Sequence, residues 1–170
     1  ANAARRAANR ASGLFTRMPE RGRSAYLDRK QIIAMGVRFA PRSGAVLVPM
    51  SNVRDEIIGL QVIYPEKQAD TGRDKSYWPY GMSKVGAFHL IGPHPEPGEP
   101  VLVCEGYATG VSLNMATSLT VAIAFDAGNL SVVAKAMRER FPGRALIVCR
   151  DDDWKTKSPN GEPWNPGEEK

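Results

Sequence analysis

The pattern of hydrophobic and polar positions predicts helices first and then short strands. Residues 1–18 place alanines and larger apolar residues on one helical stripe, which predicts an amphipathic helix. Ser24 is a suitable N-cap for a second, short helix that is expected to run as far as Met35. From Gly36 onward, apolar runs alternate with turn-rich stretches and predict a small antiparallel sheet. Its strands are expected at 37–39, 45–50, 57–64 and, closing the sheet, 85–91.

The pattern changes after residues 93–100, which contain four prolines and are typical of a linker. Beyond them, apolar runs at 101–104, 120–125 and 145–149 alternate with helical periods, which predicts a parallel sheet with flanking helices. We therefore expect an α/β fold, α+β overall, with a first domain at 1–92 and a second at 101–170. The inward residues of the two helices are expected to be Ala108, Val111 and Met115, then Leu130, Val133, Met137 and Phe141.

Acidic residues follow two of these buried runs directly. Glu105 comes after the first run, and Asp151 and Asp153 come after the third. Parallel strands present their carboxyl ends at one edge of the sheet, where open α/β sheets bind ligands. If the two strands are neighbours, the three carboxylates repel one another unless a divalent cation lies between them. Asp152 is expected to be a helix cap or an exposed turn residue instead.

Asp126 and Asn129 follow the second run, so they are expected at the same edge. They are candidate partners that hold the metal-binding acids in place, although capping the next helix is an equally good interpretation.

Composition excludes several classes of protein. No apolar run approaches the roughly 20 residues that a membrane span requires. The two cysteines, Cys104 and Cys149, and the two histidines are too far apart to form a zinc ribbon. Both cysteines lie in expected core strands and no secretory signal is present, so we expect reduced thiols and a cytoplasmic location. His89 is expected to be a packed strand residue.

Charge is distributed unevenly along the chain. Residues 1–92 carry 15 Lys and Arg against 7 Asp and Glu, a net charge of +8, whereas residues 93–170 carry 8 against 11, a net charge of −3. A basic half beside a cation site suits a polyanionic substrate, although an unevenly charged solvated surface is the plainer interpretation. In residues 67–84, cations alternate with aromatic residues, which is typical either of a surface that binds single strands or of a loop that covers a core. The candidates for nucleic-acid or nucleotide binding are Arg73, Lys75, Trp78 and Lys84.

Several motifs together resemble the Toprim domain of primases, topoisomerases and some nucleases. They are Cys-Glu-Gly-Tyr-Ala-Thr-Gly at 104–110, Ala-Phe-Asp-Ala-Gly-Asn-Leu at 124–130, and Asp-Asp-Asp at 151–153 followed by Asn-Pro-Gly at 165–167. They are most similar to the primases of phages and mobile elements. The basic half also resembles the N-terminal subdomain of a primase core, at 26–30, 44–50, 59–61, 75–77 and 84–88.

The resemblance implies a DNA primase catalytic core that synthesises short RNA primers on single-stranded DNA from ribonucleoside triphosphates. It implies Mg²⁺ or Mn²⁺ held by Glu105, Asp151 and Asp153, with Glu105 as a ligand or a general base, and a replicative helicase or a fused helicase domain as partner. A Toprim nuclease, a topoisomerase-like strand-cutting enzyme and a non-catalytic nucleic-acid-binding fragment remain alternatives. Arg150 departs from the family pattern, and the last strand and helix of a Toprim unit are not expected before residue 170.

Overall fold

The computed structural model of the protein describes residues 2–150. These residues form two four-stranded sheets and four α-helices. The elements in chain order are α1 (Asn2–Arg17), α2 (Ala25–Lys30), β1 (Arg38–Ala40), β2 (Ala45–Ser51), β3 (Ile57–Ile63), β4 (Lys75–Trp78), β5 (His89–Ile91), β6 (Val101–Cys104), α3 (Tyr107–Thr117), β7 (Val121–Ile123), a 3₁₀ turn (Ala127–Asn129), α4 (Leu130–Arg140) and β8 (Leu146–Cys149). The predicted mixed α/β class, with helices, an antiparallel sheet and then parallel strands, is confirmed.

The first sheet is antiparallel throughout, in the order β1-β2-β3-β4. Its outer face is covered by α1, where Ala11 packs with Leu47 and Leu60. The small side chains of Ala7 and Ala11 are buried and let the helix lie close to the strands. The expected amphipathic helix is therefore confirmed, and it ends immediately before Met18 and Pro19.

The second sheet has the order β5-β7-β6-β8. Strand β6 pairs in parallel with both β7 and β8. The strands that precede Glu105 and Asp151 are therefore neighbours, which the sequence analysis had stated only as a condition. Helix α4 covers one face, with Leu130, Val133, Met137 and Phe141 buried at the predicted positions.

The two sheets share one core. A single cluster of buried residues contains Val46 and Val48 of β2 together with Cys104 of β6 and Ile123 of β7. No element occupies residues 92–100, where the linker was expected. The sheets are thus separate in hydrogen bonding but continuous in packing, and the domain boundary itself stays a prediction.

Strand β5 corrects the expectation that residues 85–91 close the first sheet. It is limited to His89–Ile91 and pairs antiparallel with β7 in the second sheet. Only an isolated bridge between Ser51 and Phe88 links this segment to β2. The apolar pattern predicts a strand but cannot indicate which sheet it joins.

Three further expectations differ from the structure. Helix α2 ends at Lys30 because Gln31 adopts a left-handed conformation and its N–H bonds back to the helix, so Met35 lies outside it. In α3, Gly110 packs against Ile123, so the face of the helix that contains Val111 and Asn114 is buried. Met115, which was expected to face inward, lies outside this face and is 48% exposed. Strand β4 forms within the stretch 67–84, which the sequence analysis left without a strand.

Strand β8 is less buried than its apolar sequence predicts. Ile147 and Val148 are 47% and 45% exposed, because β8 lies at the edge of the sheet in the described part of the chain. Cys149 is half-buried, whereas Cys104 on the neighbouring strand is buried, and neither forms a disulfide within the described residues. His89 is buried as expected.

Candidate active site

The carboxyl edge of the second sheet collects the predicted site residues that the structure describes. Glu105 follows β6, and Asp126 lies three residues beyond the end of β7. Cys104 is in register with both Ile123 and Cys149, so the segments that leave β6, β7 and β8 start side by side. Parallel pairing therefore brings Glu105 and Asp126 to one edge, as the sequence analysis expected.

A strained backbone corner shapes this edge. Phe125 has a φ of +72°, a left-handed conformation that is unusual for a bulky residue and costs about 1–3 kcal/mol. Its N–H donates to the Glu105 carbonyl at 2.8 Å, and its own carbonyl accepts from the Tyr77 hydroxyl at 3.2 Å. The corner thus ties the segment after β7 both to Glu105 and to the first sheet.

Tyr77 is the link that the first sheet contributes. Its hydroxyl also accepts a hydrogen bond from the Gln61 amide, at 3.3 Å. Burial raises the pKa of Tyr77; Gln61 and Lys84 oppose that rise, while the negative charges of Asp126 and Glu105 add to it. The phenol therefore stays protonated at neutral pH and keeps its hydrogen available for the Phe125 carbonyl.

The ammonium of Lys84 lies between Tyr77 and the acidic edge. Its ammonium lies 4.5 Å from the centroid of the Tyr77 ring and 3.3 Å from Asp126 Oδ2. The side chains of Lys84 and Asp126 are 43% and 37% exposed, so the ion pair itself contributes less than about 1 kcal/mol to stability. Its importance is positional, since a predicted phosphate-binding lysine lies at the acidic edge.

Asn129 fixes the segment that carries Lys84. Its side-chain amide donates to the carbonyls of Ala87 and Ala124, at 2.8 and 2.9 Å, and its oxygen accepts from the Gly86 N–H at 2.8 Å. Gly86 has a φ of +73°, which suits glycine and turns its N–H toward Asn129. Asn129 is only 5% exposed, so these bonds form inside the protein and join residues 84–87 to the end of β7.

Asp126 caps the 3₁₀ turn that precedes α4. Its side chain accepts a hydrogen bond from the Asn129 N–H at 3.0 Å while it also pairs with Lys84. Both interpretations offered for Asp126, as a cap and as a partner within the site, are therefore compatible with its contacts.

The remaining basic candidates lie along and before β4. Lys75 is exposed and, two residues before Tyr77, extends from the same face of the strand. Arg73 is exposed in the preceding turn. Trp78 lies on the opposite face, where it packs in the cluster beneath α1 and the Arg10 guanidinium lies 5.1 Å from its ring centroid. Among the four basic-half candidates, Lys84 lies in contact with the acidic edge, through Asp126.

Asp151 and Asp153 lie outside the described residues, as does the expected cap residue Asp152. Within residues 2–150, no group of three or more His, Cys, Asp or Glu side chains is arranged to hold a metal ion. Glu105 and Asp126 supply oxygen donors of the type that Mg²⁺ and Mn²⁺ prefer. The proposed three-carboxylate set thus stays a prediction.

Sequence reasoning missed the parts played by Tyr77, Phe125 and Gly86. Tyr77 was noted only as one of several aromatic residues, while Trp78 was selected for binding. Recognising 75–78 as a strand would have placed neighbouring side chains on opposite faces and separated these two aromatics. The left-handed corner at Phe125 has no signal in the sequence.

Comparisons with known proteins identify relatives that share sequence with most of the chain. A DNA primase TraC from Escherichia coli is 32% identical over 148 residues, which is 85% of this chain and 10% of that protein. A second DNA primase TraC from Escherichia coli is 37% identical over 89 residues, which is 51% of this chain and 8% of that protein. The chain thus spans about a tenth of the length of these relatives. No family model matches the chain.

Among solved structures, the RNA polymerase domain of the Mycobacterium tuberculosis primase DnaG is similar at a TM-score of 0.41 and 16% identity. That match covers 72% of this chain and 43% of the solved chain. The described part of the protein also contains no helix long and apolar enough to cross a membrane.

Proposed function

We propose that this chain belongs to the catalytic core of a DNA primase and synthesises short RNA primers on single-stranded DNA by metal-dependent nucleotidyl transfer. The observation that carries the proposal is the 32% identity to a DNA primase TraC over 148 residues, which is 85% of this chain. Glu105, Asp126 and Lys84 are among the site residues of this chain that the structure describes. The placement of these three residues at one sheet edge supports it. In this proposal the second sheet is a Toprim unit of the phage and mobile-element type.

The acids would hold Mg²⁺ or Mn²⁺ through Glu105, Asp151 and Asp153. A bound divalent cation supplies positive charge where the α-phosphate and the attacking 3′-hydroxyl carry developing negative charge. Glu105 fits this assignment because its segment is anchored by the bond from Phe125, which limits how far the carboxylate can move.

The chain's own cations would bind the phosphates. Lys84 is positioned by Asp126 and by the ring of Tyr77, so its ammonium is oriented before a nucleotide arrives. Lys75 extends from the same face of β4 as Tyr77 and would bind a more distant phosphate, with Arg73 a weaker contributor. Trp78 would reach a base only through the part of its ring that α1 leaves exposed.

Primer synthesis with labelled ribonucleotides on single-stranded DNA tests the proposal. Wild-type protein is expected to give extension products that require Mg²⁺ or Mn²⁺. Asp151→Asn and Asp153→Asn are each expected to abolish the products and divalent binding without changing the melting temperature. Asp152→Asn is the matched control and is expected to retain activity.

The other outcomes separate the alternatives. Shortened template strands would indicate a Toprim nuclease, and binding without any covalent product would indicate a non-catalytic fragment. Unchanged metal affinity in both aspartate variants, measured by titration calorimetry, would contradict the metal assignment. A helicase partner follows from the same proposal and is tested by co-purification with the replicative helicase.

A further inference from the structure

Helix α1 carries a row of exposed arginines that lies outside the candidate site. Arg6, Arg10 and Arg17 are spaced by four and seven residues, so they lie within an arc of about 40° and extend roughly 16 Å along the helix. All three are exposed. We call these three residues the arginine stripe.

The stripe has no acidic partner within the described residues. Residues 2–19 contain no Asp or Glu. Four ion pairs within residues 2–150 join Glu20 to Arg38, Glu56 to Arg54, Asp55 to Arg140 and Asp126 to Lys84, and none of these four includes a stripe residue. Among residues 2–150, therefore, no acidic side chain neutralises the positive charge of the stripe.

The helix dipole favours Arg17, in the last turn of α1, but it does not account for Arg6 and Arg10. Arg6 lies near the N-terminus of α1, where the helix dipole disfavours positive charge, and no acidic residue occupies the first turn to offset it. The contacts that hold α1 on the sheet come instead from Ala7, Ala11 and the apolar residues after them. Arg10 contacts the ring of Trp78, but none of these contacts neutralises the charge of the stripe, which is available for contacts outside the folded chain.

The stripe faces the strand that borders the candidate site. The buried residues Ala7 and Ala11 each follow a stripe residue by one position, so the stripe lies on one flank of α1. Arg10 shows which flank this is, because its guanidinium lies over Trp78 of β4. On the other face of the same strand, Tyr77 bonds to the Phe125 corner. Strand β4, an edge strand, thus separates the stripe from the site by the thickness of one sheet.

We propose that the arginine stripe binds the backbone phosphates of single-stranded DNA that passes around the β4 edge from the candidate site. This inference rests on the proposed function, since it assumes a single-stranded template at the site. Charge complementarity selects the partner, because an unneutralised row of arginines matches a chain of regularly spaced phosphates. The partly exposed ring of Trp78 beneath Arg10 offers a base a stacking surface at the same place.

Salt-dependent binding of the full chain to a long single-stranded oligonucleotide tests the stripe. The triple variant Arg6→Gln, Arg10→Gln, Arg17→Gln is expected to make the slope of log affinity against log salt shallower by roughly 2 units, at roughly 0.7 per lost phosphate contact. The matched control removes three exposed cations elsewhere, through Arg42→Gln, Lys135→Gln and Arg138→Gln. The control is expected to leave the slope unchanged, and both variants are expected to keep the wild-type melting temperature.

Three results would overturn the proposal. An unchanged slope in the stripe variant would do so, as would an equal loss in the control, which would reveal only a net-charge effect. Displacement of the DNA by polyglutamate of equal charge as effectively as by unlabelled DNA would indicate a general anion surface or an acidic protein partner.

Primer synthesis on a short template, measured in parallel, keeps this inference separate from the proposed function. The stripe variant is expected to retain synthesis on a short template and to lose it on a long template at moderate salt. Absence of synthesis by wild-type protein, together with normal salt-dependent binding, would reject the proposed function. It would not contradict the proposal that the stripe contacts phosphates.

Discussion

The two sheets handle charge in different ways. The antiparallel sheet has one face under α1 and the other in the shared core, so its cations lie along an edge strand and on the covering helix. In the second sheet β6 and β7 are fully buried, and its acids lie only where those strands end. Buried strands cannot carry unpaired charge along their length, whereas an edge strand and a surface helix can.

The candidate site lies where the basic half and the acidic half are in contact. Tyr77 and the segment 84–87 come from the basic half and meet Glu105, Phe125, Asp126 and Asn129 of the acidic half. Opposite charges are held together at this junction by hydrogen bonds between neutral groups, chiefly those of Asn129 and Tyr77. Substitutions at this junction and within the parts that cover each sheet therefore test the difference between the two sheets.

The largest effect is expected at the junction, from Asn129→Ala. The change leaves the Gly86 N–H and the carbonyls of Ala87 and Ala124 without their partner inside the protein, which should cost about 4 kcal/mol of the free energy of unfolding. Urea denaturation measures the loss. Asn9→Ala, on the exposed surface of α1, is the control and should change stability by less than about 0.5 kcal/mol. A loss at Asn129 as small as that at Asn9 would contradict the bonding described.

The next effect depends on pH and comes from His89, where the loop before β1 meets the second sheet. Burial lowers the pKa of His89 to about 4, against 6.5 for an ordinary histidine, and its Nε2 lies 3.1 Å from the Met35 carbonyl. Because the unfolded chain binds this proton more readily, stability should fall as the pH drops from about 6.5 to 4, by up to about 3 kcal/mol.

Urea denaturation across this pH range, compared between wild type and two variants, checks the assignment. His89→Asn should remove this part of the pH dependence, whereas His94→Asn, at the chain's other histidine, should retain it. Parallel pH profiles for wild type and His89→Asn would show that another group is responsible.

Glycine-to-alanine substitutions in α3 and α1 are expected to change stability in opposite directions. A Cβ at Gly110 of α3 would lie 2.6 Å from Ile123 Cγ1 and 3.1 Å from Cys104 Sγ, so Gly110→Ala should destabilise the protein by about 2 kcal/mol. A Cβ at Gly13 of α1 would meet only Arg17 Nη1, at 3.5 Å, so Gly13→Ala should stabilise the protein by up to about 1 kcal/mol. Thermal unfolding of both variants checks the sign, and a gain at Gly110 would show that α3 is not packed as closely as described.

The smallest effect is expected from Tyr77→Phe. Loss of the hydroxyl removes the bond to the Phe125 carbonyl and leaves the buried Gln61 amide without its partner, at a cost of about 1 kcal/mol. Tyr80→Phe is the matched control because Tyr80 is fully exposed, at 100%. Primer synthesis should decrease in Tyr77→Phe more than this loss of stability explains, if the proposed function holds. Equal behaviour of the two tyrosine variants would remove Tyr77 from the site.

Sequence alone was sufficient where a local pattern determines structure. The helical stripe of α1 and the inward residues of α4 are helical periodicities, and both were placed correctly. The apolar run Val101–Cys104 was correctly assigned to a strand because it is short and rich in β-branched residues. The parallel direction of β6 and β8 followed from the alternation of strands and helices, whereas their neighbouring positions came from the structure. Glu105, Asp126 and Lys84 could be selected because their residue types suit phosphate and metal chemistry.

Tertiary structure alone decided which surfaces meet. Strand β5 joins the second sheet although it precedes the linker, and this pairing brings residues 84–87 to the carboxyl edge. The alternation of β4 sends Tyr77 inward and Trp78 outward, a choice fixed by its register with Gln61 and Leu60. Such pairings depend on backbone hydrogen bonds between distant segments. Every residue type can make these bonds, proline as an acceptor only, so side-chain identity determined the elements and their charges but not their partners.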